Sequence, residues 1–132
     1  MDRKPTIPLY VGLFAVAYLL LVFILGYAIT WLQIETSAWV NHFIILAATA
    51  VTTFWFTLRE NRHFTKSERI ELVVGSIVAD ITIQVCSVLI FVINLDLTGK
   101  WLGLLLIFVG HALLIVLGYS ISKKIPLAAN AT

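Results

Sequence analysis

Asp80 is the only acidic residue within the long apolar stretches of this 132-residue chain. Ser76, Asp80 and Gln84 recur every four residues, so on an α-helix they would form one polar stripe. His111 lies near the middle of the last apolar stretch. An aspartate beside a histidine can relay protons or bind an ion or ligand, because imidazole titrates near neutral pH. The pair can also be structural, since hydrogen bonds between membrane helices fix their register.

We favour the structural role for Asp80 and His111, because one pair without a second carboxylate is a weak basis for transport. No H-E-x-x-H, G-x-S-x-G or phosphate-loop motif occurs. The single cysteine, Cys86, has no basic neighbour that would make it a thiolate. We expect His42, His63 and His111 at three different depths, which would prevent them from sharing a metal. The sequence therefore predicts no catalytic residues, no metal and no cofactor.

Four apolar stretches must position these residues: 8–32, 39–58, 72–95 and 101–122. The chain is 61% hydrophobic and 12% charged, with a mean hydropathy of +1.01. Soluble domains are about 45–50% apolar and about 25% charged. Each stretch can cross a hydrocarbon core of about 30 Å as a helix, and lipid offers no partner to an open strand edge. The sequence predicts an all-α membrane protein, with residues 1–132 as a single domain.

Short connections at 33–38, 59–71 and 96–100 predict that consecutive helices pack as antiparallel neighbours in an up-down-up-down four-helix transmembrane bundle. Thr65 and Glu68 fit a capping box, which extends the third helix to residues 65–95. Asp80 and His111 should then lie at similar depth and face each other. Asn41 and His42, near the outer end of the second helix, are expected to be solvated. The helix backbones are expected to approach closely at Gly12, Gly26, Gly103, Gly110 and Gly118.

Basic residues predict the orientation of the bundle. Eight of the nine lysines and arginines fall on one side, and they are Arg3, Lys4, Arg59, Arg62, Lys66, Arg69, Lys123 and Lys124. The positive-inside rule places them, and both termini, in the cytoplasm. Trp31, Trp39 and Trp101 would then lie together at the outer interface. The middle connection, with Arg59, Arg62, Lys66 and Arg69, could anchor the protein to anionic headgroups or dock a partner.

Part of the chain resembles a known family. The order Phe56, Arg62, Phe64-Thr65, Glu68, Leu72 and Gly75-Ser76, between Phe56 and Ser76, resembles that of a family of short, uncharacterised four-helix inner-membrane proteins from Gram-negative bacteria. The resemblance implies a bacterial inner membrane and a domain that includes the whole chain, and it implies no activity. The small multidrug transporters also have four helices, but their essential carboxylate is in the first helix, which has none here.

Two functions remain open at this point. The first is a small non-enzymatic membrane protein that binds another membrane protein, as an accessory subunit or a toxin-immunity protein. The alternative is an oligomeric small transporter or channel that uses Asp80 and His111, because one four-helix bundle is too narrow for a sizeable aqueous cavity. The net charge of +2 does not suggest nucleic acid as a partner. The expected partners are the lipid bilayer and another membrane protein or a second copy of the chain.

Overall fold

The structure is a computed structural model that describes residues 6–33, 39–91 and 101–121. These residues form four helices and no strand: α1 (Ile7–Leu32), α2 (Trp39–Glu60), α3 (Lys66–Phe91) and α4 (Trp101–Ser120). The all-α prediction is confirmed, and the helix bounds lie close to the expected ones. Residues 92–95 of the predicted third helix lie outside the described residues. Pro8, at the start of α1, suits a position whose N–H has no partner within the helix.

Each helix packs against two others, in the order α1, α2, α4, α3 around the bundle. Within the described residues α2 and α3 have no backbone contact, so the expectation that they are neighbours is wrong. The connection between them, residues 61–65, is long enough to cross the end of the bundle. α1 and α2 run in opposite directions, because the early Tyr10 contacts Glu60 at the end of α2. α3 and α4 are also antiparallel, since Ser76 contacts Tyr119 and Gln84 contacts His111.

The fully buried core lies between one end of the bundle and the level of Asp80. Aromatic rings pack against each other at its centre. The ring centroids of Tyr10 and Phe56 are 4.9 Å apart, and those of Phe56 and Phe64 are 4.0 Å apart. Phe64 contacts Tyr119 in an edge-to-face arrangement at 6.1 Å. These side chains come from α1, α2, α4 and the connection before α3, and they are at most 5% exposed. This end of the bundle, called here the closed half, is a solid hydrophobic core.

The opposite end lacks such a core. α2 begins at Trp39, and its third residue, Asn41, pairs with Tyr18 in the middle of α1. α2 therefore begins about 18 Å short of the end of α1 at the standard rise of 1.5 Å per residue. Among the described side chains, none is buried in α1 beyond Tyr18, in α3 beyond Asp80, or in α4 before His111. We call this end the open half.

The offset of α2 corrects the expectation that Trp31 and the start of α2 at Trp39 lie at one level. Hydropathy shows where each stretch is apolar, but contacts between helices decide how far one helix slides along another. The hydrogen bond between Tyr18 and Asn41 fixes this register.

Two of the described helical segments, Ile7–Leu32 and Val40–Glu60, are long and apolar enough to cross a membrane. A third segment, Leu105–Ser120, is apolar but shorter. Many large apolar side chains are exposed on the outside of the bundle, including Phe23 at 72% and Phe43 at 68%.

Helix backbones approach closely at two glycines. A Cβ at Gly118 would lie 2.9 Å from Thr49 Cβ, and a Cβ at Gly75, which was not among the glycines expected to allow close approach, would overlap Val11. A Cβ at Gly110 would make an ordinary contact with His42, while Gly12 and Gly26 face open space. The close approach expected at Gly118 is therefore present, and the approaches expected at Gly12 and Gly26 are not. Gly103 lies among the positions whose side-chain surroundings are not described.

Gly118→Ala is expected to destabilise the protein by about 1–3 kcal/mol, because the new methyl group must displace Thr49. Gly12→Ala is the control, and it should be neutral or stabilising by up to about 1 kcal/mol, since alanine is the better helix former. Unfolding of both variants in detergent micelles measures the difference. Equal effects would mean that α2 and α4 do not meet at this position.

Candidate functional site

The structure brings Asp80, Gln84 and His111 together at the boundary between the closed and open halves. His111 Nδ1 lies 3.1 Å from Asp80 Oδ2, and the two side chains are 1% and 2% exposed. Gln84 Nε2 lies 2.8 Å from Asp80 Oδ2 and 2.6 Å from His111 Nδ1. The four-residue spacing of Asp80 and Gln84 positions both on one face of α3, as the polar stripe predicts.

Three further residues belong to this cluster, and the sequence analysis missed them. Tyr18 donates from its hydroxyl to Asn41 Oδ1 at 3.1 Å, and Asn41 Nδ2 lies 3.3 Å from His111 Nε2. The ring of His42 packs edge-to-face on His111, with centroids 5.4 Å apart. The expectation that Asn41 and His42 are solvated, at a depth different from His111, is therefore wrong. Their level follows from the offset of α2. The sequence signal that could have revealed them was the pair of adjacent polar residues, Asn41 and His42, near the start of an apolar stretch.

These side chains connect all four helices, and we call them the central polar cluster. The cluster consists of Tyr18, Asn41, His42, Asp80, Gln84 and His111. One direction of hydrogen bonding satisfies Tyr18, Asn41 and His111. In it, Gln84 Nε2, which can only donate, donates to Asp80 Oδ2 and not to His111 Nδ1. Because the Asn41 amide nitrogen can only donate, His111 Nε2 must accept, and Nδ1–H then donates to Asp80. The chain of donors thus runs from Tyr18 through Asn41 and His111 to the carboxylate. Asp80 Oδ1 is buried and has no hydrogen-bond partner among the described residues, although Tyr18 lies close enough to interact with the carboxylate.

Ser76, the third member of the polar stripe, lies apart from the cluster. It is fully buried, and its hydroxyl forms a 2.9 Å hydrogen bond with that of Tyr119. Its role is to join α3 to α4 within the closed half. Nearby threonines of α2 bond their own preceding turn: Thr49 to Leu46 and Thr52 to Ala48. Such bonds need no partner on another helix.

The capping box at the start of α3 is present. Thr65 Oγ1 accepts from the Glu68 N–H at 3.3 Å, and Glu68 Oε2 accepts from the Thr65 N–H at 2.9 Å. Glu68 also accepts two hydrogen bonds from Arg62, at 2.9 and 2.6 Å. The Arg62 guanidinium carbon lies 5.2 Å from the ring centroid of Phe56. Arg62 therefore ties the connection to the core and is not a free docking residue.

The hydrogen bond from Arg62 and those from Thr65 lower the pKa of the Glu68 carboxyl from 4.5 to about 2. A carboxyl with a lowered pKa stabilises the folded state above its ordinary pKa, and this stabilisation is lost as pH falls toward the lowered value. Glu68→Gln is expected to cost about 1–2 kcal/mol at pH 7, because it removes a charge-assisted bidentate pair.

The difference in unfolding free energy between wild type and Glu68→Gln should have its full size above pH 5 and should decrease as pH falls from 4.5 to 2. Glu71→Gln is the matched control, since the exposed Glu71 bonds only Ser67 among its described hydrogen-bond partners. A pH-independent difference, or an equal loss in the control, would contradict the role of the Arg62–Glu68 pair.

The remaining basic residues of the predicted docking or anchoring set are less constrained. Arg59 and Lys66 are exposed. Arg69 is half-buried, and its Nε atom is buried without a hydrogen-bond partner. Five other basic residues lie outside the described residues: Arg3, Lys4, Lys100, Lys123 and Lys124. The predicted orientation depends on these residues and stays a prediction.

The central polar cluster brings an imidazole and a carboxyl into direct contact, which is the pair of groups that a proton relay would need. Within the part of the chain that the structure describes, no three His, Cys, Asp or Glu side chains are grouped in a way that could hold a metal ion. Cys86 is exposed and outside the cluster.

Fold and site together define an all-α four-helix bundle with a buried, titratable polar cluster. No known protein family, curated protein or solved structure matches the chain.

Proposed function

We propose that the chain is an integral membrane protein of a bacterial inner membrane. In this proposal its four helices cross the bilayer up-down-up-down, with both termini in the cytoplasm. The apolar side chains exposed outside the bundle support lipid as its surroundings. The antiparallel pairs α1–α2 and α3–α4 support the alternating direction. The concentration of lysine and arginine in the termini and the middle connection supports the orientation.

Reporter fusions at Thr132 and within residues 33–38 test this topology. A reporter that is active only in the cytoplasm should be active at Thr132 and inactive in the first connection. The reverse pattern, or cytoplasmic activity at both positions, would overturn the proposed crossing.

We further propose that the protein acts without catalysis, by binding another membrane protein through its outer helix faces. The observation that carries this proposal is the solid core of the closed half. Tyr10, Phe14, Phe56 and Tyr119 are at most 1% exposed and fill the interior of the closed half with aromatic rings. A single chain is therefore expected to act by binding a partner at its surface and not through an internal cavity. An accessory subunit or a toxin-immunity protein would act in this way.

Photo-crosslinking in native membranes tests this proposal. A photoreactive amino acid at exposed positions, Phe23 on α1 and Leu113 on α4, samples two outer faces. The same group at the fully buried Ile115 is the matched control. A discrete crosslink to a second protein from one exposed position, with none from Ile115, is the expected result. Crosslinks to lipid alone would overturn the proposal, and a dimer of this chain would favour the second candidate.

One observation favours that second candidate, an oligomeric small transporter or channel. Asp80 Oδ1 has no hydrogen-bond partner among the described residues, and a buried oxygen in this state destabilises the protein unless a proton or cation binds to it. If His111 gains a proton, the Asn41 amide must turn to accept from Nε2–H, which frees the Tyr18 hydroxyl to donate to Asp80. Proton flux into liposomes that is lost in Asp80→Asn with His111→Gln, while the fold is retained, would support transport.

A further inference from the structure

A groove lies between α3 and α4 on the outside of the closed half. Its volume is about 240 Å³, and it is lined by Arg69, Ile70, Val73, Val74, Val116 and Ser120. Arg69 is in the first turns of α3, while the valines lie one turn further into the bundle. One end of the groove is thus cationic, and the rest of the groove is lined mainly by apolar side chains.

Arg69 has no described carboxylate as a partner. Its Nε atom is buried and makes no hydrogen bond within the part of the chain that the structure describes. The nearest acidic residues along α3 are engaged elsewhere, because Glu68 pairs with Arg62 and Glu71 accepts from Ser67. A guanidinium that is partly desolvated and unpaired is a strong site for an anion, since its planar set of N–H donors matches an oxyanion.

We propose that this groove binds one anionic phospholipid, with its phosphate at Arg69 and an acyl chain along Val73 and Val116. The charge of Arg69 matches the phosphate, and the valines match a hydrocarbon chain but not a polar peptide. The inference rests on the proposed membrane insertion, which places the start of α3 at the cytoplasmic leaflet. Anionic lipids are concentrated there, and basic pockets between membrane helices bind their headgroups.

Arg69 is the one charged side chain among the described residues that line the groove. Lys66, on the exposed side of α3, precedes Arg69 by one helical turn. Lys66 does not line the groove, so it is not expected to contribute to the site.

Native mass spectrometry of the full chain in detergent tests the proposal, with equal amounts of phosphatidylglycerol and phosphatidylcholine added. The wild type should retain phosphatidylglycerol in preference to phosphatidylcholine. Arg69→Gln should lower phosphatidylglycerol binding about fivefold, the effect of removing one basic residue from a membrane surface. Val73→Trp keeps Arg69 but fills the groove, and it should lower binding of both lipids. Lys66→Gln is the matched control and should bind as the wild type does.

Equal phosphatidylglycerol binding by wild type and Arg69→Gln would overturn the site. A similar loss in Lys66→Gln and Arg69→Gln would also overturn it, because the attraction would then be a general property of the basic segment. The reporter fusions for topology separate this failure from failure of the proposed function. A chain that crosses the membrane as proposed, yet shows no dependence on Arg69, lacks only the lipid site.

Discussion

Replacing His111 by leucine is expected to destabilise the protein by about 3–5 kcal/mol, because the buried Asp80 carboxyl loses its imidazole partner and keeps only Gln84 among its described hydrogen-bond partners. The substitution also removes the acceptor for the Asn41 amide, which lies 3.3 Å from His111 Nε2. Both losses occur at side chains that are nearly inaccessible to solvent. Unfolding in detergent micelles at pH 7 measures the effect. His63→Leu, outside the cluster and only half-buried, is the control and should change the stability little.

The double variant Asp80→Asn with His111→Gln should be more stable than the sum of the single effects predicts. Two amides can keep a hydrogen bond between α3 and α4 without burying a charge. A coupling free energy of at least about 1 kcal/mol is expected for residues in direct contact. Additive effects would mean that the two side chains do not interact in the folded protein. If the pair is a relay, the double variant should fold but lose its activity, since neither amide exchanges protons at this pH.

Phe56→Ala is expected to cost about 3–5 kcal/mol, the second large effect in the bundle. Phe56 is fully buried, and its ring packs on Tyr10 and Phe64 and lies beside the Arg62 guanidinium. Removing it leaves a cavity where α1, α2 and the connection to α3 meet. Loss of the Arg62 contact should also weaken the ion pair with Glu68.

Phe54 provides the matched control on the same helix. It is 54% exposed, so Phe54→Ala creates no enclosed cavity, and lipid can take the place of the lost ring. We expect a change below about 1 kcal/mol from this variant. Comparable losses at the two positions would indicate that the closed half is not packed as described.

The helices of this bundle were predictable from the sequence because their signals are local. Unbroken apolar stretches predict the number of helices, and the capping residues Thr65 and Glu68 predict where α3 begins. The contact between Asp80 and His111 followed from their positions on two helices joined by a short connection. Each of these arguments needs only one helix or one connection.

The arrangement of helices around the bundle was not predictable in the same way. Close packing at Gly75 and Gly118 aligns α1 with α3 and α2 with α4, and hydropathy contains no signal for these pairings. The offset of α2 brought Asn41 and His42 to the level of His111. That offset depends on side-chain hydrogen bonds between helices, which become visible only once the helices are placed together.

The account depends most on the contact between Asp80 and His111 inside a membrane-embedded bundle. Solid-state NMR of the full chain in lipid bilayers, with ¹³C-labelled aspartate and ¹⁵N-labelled histidine, measures it directly. In a background with His42→Gln and His63→Gln, we predict a correlation between the Asp80 carboxyl carbon and His111 Nδ1, with the proton on Nδ1 and not on Nε2. Loss of this correlation in the Asp80→Glu variant would assign the signal to Asp80. A His111 ring that correlates only with lipid, or that carries its proton on Nε2 alone, would contradict the account.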